Sequence, residues 1–303
     1  MQEESGVSIA LTFDFDAYSN WITSFKATSP SMLSRGEFAP VGVRRVLALL
    51  DKFNAKGTFF IPGHTALAWP EDVLRIRDAG HEIGHHNWIH ENPATLNLEE
   101  ERTVIEKGLE ALQRVAGLRP TGFRSPAWDN SPNTVGLLLD YGFEYESSMM
   151  ASDFSPYWCR TGDEWPADDE FRFGKPVDLV EIPVSWYMDD WPYFEHIVTP
   201  TGIQEGLRVP DEALAIWKTE FDYLYHHEKS GLLCITMHPE VIGKGYRMLM
   251  LESFLRYAAG HPRVTFTTCA DYARTWRVGR TPSLPIGAGP ARAKVWESSE
   301  QRL

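Results

Sequence analysis

Positive charge is scarce in this chain. Twenty-nine Lys and Arg stand against 42 Asp and Glu, giving a formal charge of −13, which argues against nucleic acid and anionic membranes as partners. Cysteine is scarcer: Cys159, Cys234 and Cys269 are odd in number and far apart. They supply no disulfide framework and fit reduced thiols. No apolar run approaches the length of a membrane span. The opening Met1-Gln2-Glu3-Glu4-Ser5 lacks the basic-then-apolar order of a secretion signal. The expected location is therefore the cytoplasm.

Histidine, in contrast, is concentrated. Four of the ten fall between Gly80 and Pro93: His81, His85, His86 and His90. Neutral imidazole is a common metal ligand, and two overlapping motifs compete here. His81-Glu82-Ile83-Gly84-His85 spells the H-E-x-x-H of zinc proteases, which needs a helix to bring residues four apart together. Gly80 and Gly84 disfavour a helix, and the run reads better as a strand, where such residues lie roughly 13 Å apart. The second pair, His86 and His90, falls beyond the strand end. One helical turn before Pro93 would bring both imidazoles to one face.

Short apolar runs alternate with helical patterns along the chain. Val7–Phe13, Gly57–Ile61, His81–Ile83, Gly122–Arg124, Phe143–Glu146, Leu179–Ser185, Leu232–Met237 and Val264–Phe266 read as strands. Val41–Asn54, Pro70–Ala79, Leu98–Ala116, Ser131–Tyr141, Val209–Lys229, Met248–Ala259 and Cys269–Trp276 read as helices. Asn97 is the expected cap of Leu98–Ala116. Strand followed by helix, about seven times over, indicates a single parallel α/β domain, barrel or sheet. Ala17–Pro40 lacks a period and reads as a long loop, with Trp21, Phe25 and Phe38 as one wall of a site. Residues 147–176 break the rhythm as a loop insertion. The domain is expected over residues 1–278, with a disordered tail over 279–303.

Polar clusters follow the strand ends: Asp14 and Asp16, His86 and His90, Arg124, Asp189 and Asp190, and His238. In a (β/α) barrel these ends share one face. Asp14 and Asp16, two apart in an extended chain, point the same way, and two such acids repel without a cation or proton between them. Asp16, His86 and His90 make a two-His, one-carboxylate set that leaves open positions for water. Zinc suits it, although iron, cobalt or nickel also do. Asp14 is then the candidate proton acceptor, His238 the candidate donor to a leaving nitrogen, and Arg124 the partner that keeps Asp14 ionised. His64, after the second strand, and Trp88, Trp128 and Trp186, in aromatic-rich loops, are candidate substrate contacts.

These motifs together resemble the polysaccharide deacetylase family, the NodB-homology group of carbohydrate esterases. The resemblance rests on Thr12-Phe13-Asp14-Phe15-Asp16, His86-Asn87-Trp88-Ile89-His90, Arg124-Ser125-Pro126-Ala127-Trp128 and the apolar run Leu233–Met237 ending in His238-Pro239. It departs from the usual pattern in the Phe15 between the acids, in Asn87 for Ser or Thr, and in a loose Asp189-Asp190-Trp191. In the Asp14-Phe15-Asp16 form, in His90-Glu91-Asn92-Pro93 and in the segment Val184–Pro192 the chain resembles a subgroup holding a bacterial peptidoglycan deacetylase-like protein, cyclic imide hydrolases and metal-independent allantoinases. The resemblance implies a distorted (β/α) barrel of about seven strands and metal-assisted amide hydrolysis. By it the base is Asp14, the ligands are Asp16, His86 and His90, and the acid is His238; the subgroup also implies a homotetramer. The expected substrate is a small or oligomeric amide, either an acetamido sugar or a cyclic imide or ureide. Polymeric peptidoglycan or chitin-like glycan is the alternative. A catalytically silent carbohydrate-binding barrel is the alternative of another class.

Overall fold

The computed structural model describes residues 6–199, 202–285 and 287–288. Its strands are β1 (Val7–Asp14), β2 (Thr58–Ile61), β3 (Glu82–His85), β4 (Gly122–Phe123), β5 (Tyr145–Glu146), β6 (Tyr157–Thr161), β7 (Lys175–Glu181), β8 (Ile197–Thr199), β9 (Gly202–Gln204), β10 (Gly231–Met237) and β11 (Val264–Thr267). The main sheet runs β10-β1-β2-β3-β4-β5-β7-β6, with β11 beside the first half of β1. All pairings in it are parallel except β6 with β7. A parallel bridge between Asp189 and Thr236 joins the chain beyond β7 back to β10. The sheet thereby curls into a distorted (β/α) barrel.

Side-chain alternation along the strands sorts the core. Ile9, Leu11 and Phe13, Phe59 and Ile61, and Leu233, Ile235 and Met237 pack outward in the main core cluster, against the helices. Ala10, Phe60, Tyr145, Val180 and Cys234 belong to a second, interior cluster. A period of two leaves even positions inward on β1, β2, β3 and β10. The next inward positions at the strand ends are Asp14, His86 and His238.

Two helix glycines allow close approach. A Cβ on Gly42, in helix Ala39–Lys52, would lie 1.8 Å from the Pro239 carbonyl, next to His238. A Cβ on Gly108, in helix Leu98–Ala116, would lie 2.3 Å from His85 Nε2 and 2.7 Å from the Asn87 carbonyl. That helix opens on a capping box of Asn97 and Glu100 and closes on left-handed Gly117, as its sequence signals.

Several expectations need correction. Residues 147–176 are not a structureless loop: β6 pairs antiparallel with β7, which begins at Lys175 rather than Leu179. Pro183, which lacks an N–H for a ladder, lies beyond the end of β7. Ala17–Pro40 is not one loop either. It holds helices Tyr18–Thr23 and Pro30–Leu33 and a 3-10 turn at Gly36–Phe38, too short to show a period. The β8–β9 hairpin was not anticipated. Most of the 279–303 tail lies outside the described residues.

Candidate active site

Five chain segments converge at the C-terminal mouth of the barrel. Asp14 ends β1. Asp16 lies two residues on, its backbone carbonyl held by the Thr65 hydroxyl at 2.6 Å and the Ser19 N–H at 2.9 Å. His86 and His90 come from the turn after β3. That turn is not the helical turn expected from their spacing. Asn87 and His90 both take left-handed backbone, φ 56° and 64°. The Asn87 amide donates to the Glu91 carbonyl at 3.0 Å, and the Ile89 N–H donates to the Glu91 carboxylate at 2.8 Å. Asn tolerates this backbone better than most residues, which gives a physical role to Asn87. The imidazole rings end 5.0 Å apart.

His86 Nε2 lies 3.5 Å from one Asp16 oxygen and His90 Nε2 lies 3.4 Å from the other. Ligand atoms on a tetrahedral ion with bonds of about 2.0–2.2 Å sit roughly 3.3–3.6 Å apart. The outer nitrogens are already engaged: His86 Nδ1 with the Arg124 carbonyl at 2.6 Å, and His90 Nδ1 with the Ser24 hydroxyl at 3.0 Å. Such partners orient a ligating imidazole. Both Asp16 carboxylate oxygens and His86 Nε2 are buried without a hydrogen-bond partner. Orphaned buried acceptors are costly, and a cation among Asp16, His86 and His90 satisfies all three. These residues form a group able to hold a metal ion. Burial pushes the Asp16 carboxyl up to about 8; His238 opposes this, while Asp14, Asp189 and Asp190 add to it. Burial holds His86 down to about 3 and His90 well below the usual imidazole range. The imidazoles are thus neutral, as ligation requires.

Arg124 is fully buried and donates to Asp14 at 2.9 Å, the Thr12 hydroxyl at 2.7 Å and Ser147. Asp14 Oδ2 stands 4.0 Å from His86 Nε2. On the far side, His238 Nδ1 meets Asp190 at 2.8 Å, and its Nε2 stands 3.8 Å from Asp16. Burial alone would lower the His238 pKa. The hydrogen bond to Asp190 and the charges of Asp189, Asp190 and Asp16 outweigh it and raise the pKa well above the ordinary value. These acids favour the protonated form of His238, which faces Asp16.

A cleft of about 420 Å³ opens above these groups, lined by Asp14, His86, His90 and His238. Trp128 and Trp186, 4.3 Å apart, form one wall; Phe25 and Trp191 also line it, joined by the Gln204–Arg208 loop. Trp88 and His64, expected as substrate contacts, are absent from this lining and correct that reading. The His64 N–H donates to the Trp88 carbonyl at 2.7 Å, and the two rings meet edge-on behind the histidine turn. Trp21 is buried, and Phe38 lies beneath Lys244 and Arg45. The competing zinc-protease motif dissolves: His81 accepts from the Gly57 N–H, and His85 Nε2 meets the Ile105 carbonyl. Glu240 was not singled out from sequence. It is buried and accepts from the Ala17 N–H at 3.1 Å, fixing the chain beside Asp16. Its neighbour His238-Pro239, at a strand end, was the available signal.

A family model described as polysaccharide deacetylase matches residues 2–145. The chain is 35% identical to a peptidoglycan deacetylase of Helicobacter pylori, over 88% of this chain and 95% of that one. It is 29% identical to a peptidoglycan deacetylase-like protein of Gibberella zeae, over 88% and 86%. A crystal structure from Mycobacterium smegmatis assigned to the polysaccharide deacetylases superposes with a TM-score of 0.81 at 33% identity, over 94% and 96% of the two chains. An allantoinase structure shares the fold at 23% identity and a TM-score of 0.75, over 92% and 94%. Likeness at this identity, over nearly the full length of both partners, means that the chain belongs to the polysaccharide deacetylase family, whose members hydrolyse carbon–nitrogen bonds other than peptide bonds.

Proposed function

We propose that the protein removes the acetyl group from an acetamido sugar in a short saccharide, with a divalent ion held by Asp16, His86 and His90 and zinc the favoured metal. The observation that carries this reading is the trio of orphaned buried atoms, Asp16 Oδ1, Asp16 Oδ2 and His86 Nε2, with His86 Nε2 and His90 Nε2 3.5 and 3.4 Å from the two carboxylate oxygens. When bound, such an ion lowers the pKa of a water toward about 7 and polarises an acyl oxygen. Asp14, fixed by Arg124, takes the proton of the attacking water. His238, kept protonated by Asp190, delivers a proton to the departing amine; such proton transfers typically contribute about 10²–10⁴-fold each. Arg124 touches no substrate in this scheme and acts by positioning Asp14. Trp128 and Trp186 offer an aromatic wall to a sugar ring.

A cleft of this volume favours a small or oligomeric substrate, since pockets of about 300–1,000 Å³ suit small molecules. The peptidoglycan deacetylase relative supports a second reading, in which the acetamido sugar sits within a glycan polymer. Acetate release from chitooligosaccharides, muropeptides and intact peptidoglycan, run beside ring opening of allantoin and succinimide, tests the proposal. Acetate from the short saccharides is the expected result; ring opening alone would overturn it. The cytoplasmic location and the homotetramer belong to the same reading. Among the described residues no helix is long and apolar enough to cross a membrane. The paired Val198 and Ile203 of the β8–β9 hairpin are exposed and supply apolar surface for association.

A further inference from the structure

We propose that Asp222, His226 and His261 form a second metal site, at the N-terminal end of the barrel, that takes a divalent transition ion of the zinc class. Each offers a ligand atom, and these atoms lie within 4.8 Å of one another. Asp222 and His226 are four apart, where helix Pro210–Tyr223 passes into the π-helical turn Leu224–Glu228. Helical spacing of four puts both side chains on one face, and π turns in α-helices are frequent at functional sites. His261 approaches from the segment after helix Gly245–Ala259.

Tyr257 prepares two of the three ligands. Its carbonyl meets His261 Nδ1 at 3.0 Å, which fixes the tautomer and leaves Nε2 with its lone pair free. Its hydroxyl donates to Asp222 Oδ1 at 2.7 Å, which orients the carboxylate and leaves Oδ2 available. Outer partners of this kind are what metal-ligating histidines and carboxylates use. His226 is exposed, so its imidazole can rotate the remaining distance. Imidazole with carboxylate suits zinc, copper or nickel over calcium or magnesium.

The location argues for a structural ion. The cluster lies immediately before β10 and β11, whereas the cleft lies beyond the far end of β10. Seven residues of strand separate the two ends by roughly 20 Å. In barrels the N-terminal face serves stability. An ion there ties helix Pro210–Tyr223 to the chain entering β11.

Calorimetric titration of the chelator-treated full-length protein with Zn²⁺ alone tests this. Wild type is expected to take up two equivalents, and His226→Ala one, with turnover unchanged. Tyr257→Phe keeps the carbonyl but loses the hydroxyl, and should weaken only the second equivalent, by roughly 10–100-fold. His86→Ala should retain it. If His226→Ala binds as many equivalents as wild type with the same affinities, the proposal is overturned. A single wild-type equivalent, lost in His226→Ala and kept in His86→Ala, supports this site and counts instead against an ion at Asp16.

Discussion

The chemistry of individual residues follows from burial set against pairing. His238 is buried, which disfavours its cation, yet Asp190 at 2.8 Å and the nearby Asp189 and Asp16 reverse the sign. Activity that needs the imidazolium is present below the folded pKa and is lost as pH rises through it. Asp190→Asn removes the charge and leaves only a neutral acceptor for His238 Nδ1, so the alkaline limb of the kcat profile should move to lower pH. Turnover at neutral pH should fall as well. An unmoved limb would deny His238 the role of acid. At this scale much was legible in the sequence. Asp14, Asp16, His86, Arg124 and His238 stand out because they are polar residues placed where apolar strands stop. His64 and Trp88 were misassigned because proximity to a strand end does not give direction. The turn that carries Trp88 points its ring away from the cleft.

Between residue and molecule, the element that matters is the turn after β3. Its backbone could not be read from spacing, since the i, i+4 relation of His86 and His90 suggests a helix and the turn is built instead from two left-handed residues. The helix behind it, Leu98–Ala116, was legible from its cap and period, but its role was not. It holds the turn by letting Gly108 touch His85 and the Asn87 carbonyl. Alanine is intrinsically better than glycine in a helix by about 1 kcal/mol, yet Gly108→Ala should destabilise the protein by about 1–3 kcal/mol through overpacking. It should also weaken metal uptake by displacing His86 and His90. Thermal melts together with Zn²⁺ titration check both effects; a stabilised variant with unchanged uptake would show that the contact does not position the turn. The 147–176 hairpin and the short helices of 17–40 escaped sequence reading for one reason: their segments are too short or too polar to carry a period.

Across the whole molecule the barrel concentrates buried acids at one mouth, at a cost to stability without a cation. The Asp16 carboxyl, pushed up to about 8, contributes stability that is present below the usual carboxylate range and is lost as pH rises through about 8. The metal-free protein should therefore become less stable between about pH 4 and 8 through this group. Asp16→Asn should melt higher than metal-free wild type at pH 8, by about 1–2 °C for each kcal/mol recovered, while losing the ion. A stability gain tied to lost function is the expected pattern for a strained site. Equal melting of the two metal-free proteins across that range would contradict it.

The most direct measurement is bound metal per chain set against turnover, taken on one acetylated substrate for wild type, Asp14→Asn and His86→Ala, each before and after chelation. The account predicts that wild type holds an ion at this site and turns over, and that chelation abolishes turnover until Zn²⁺ is returned. Asp14→Asn should keep the ion and lose turnover by about 10²–10⁴-fold, and His86→Ala should lose turnover and this ion, keeping only the equivalent assigned to Asp222, His226 and His261. Wild-type turnover that survives complete removal of the metal would contradict it.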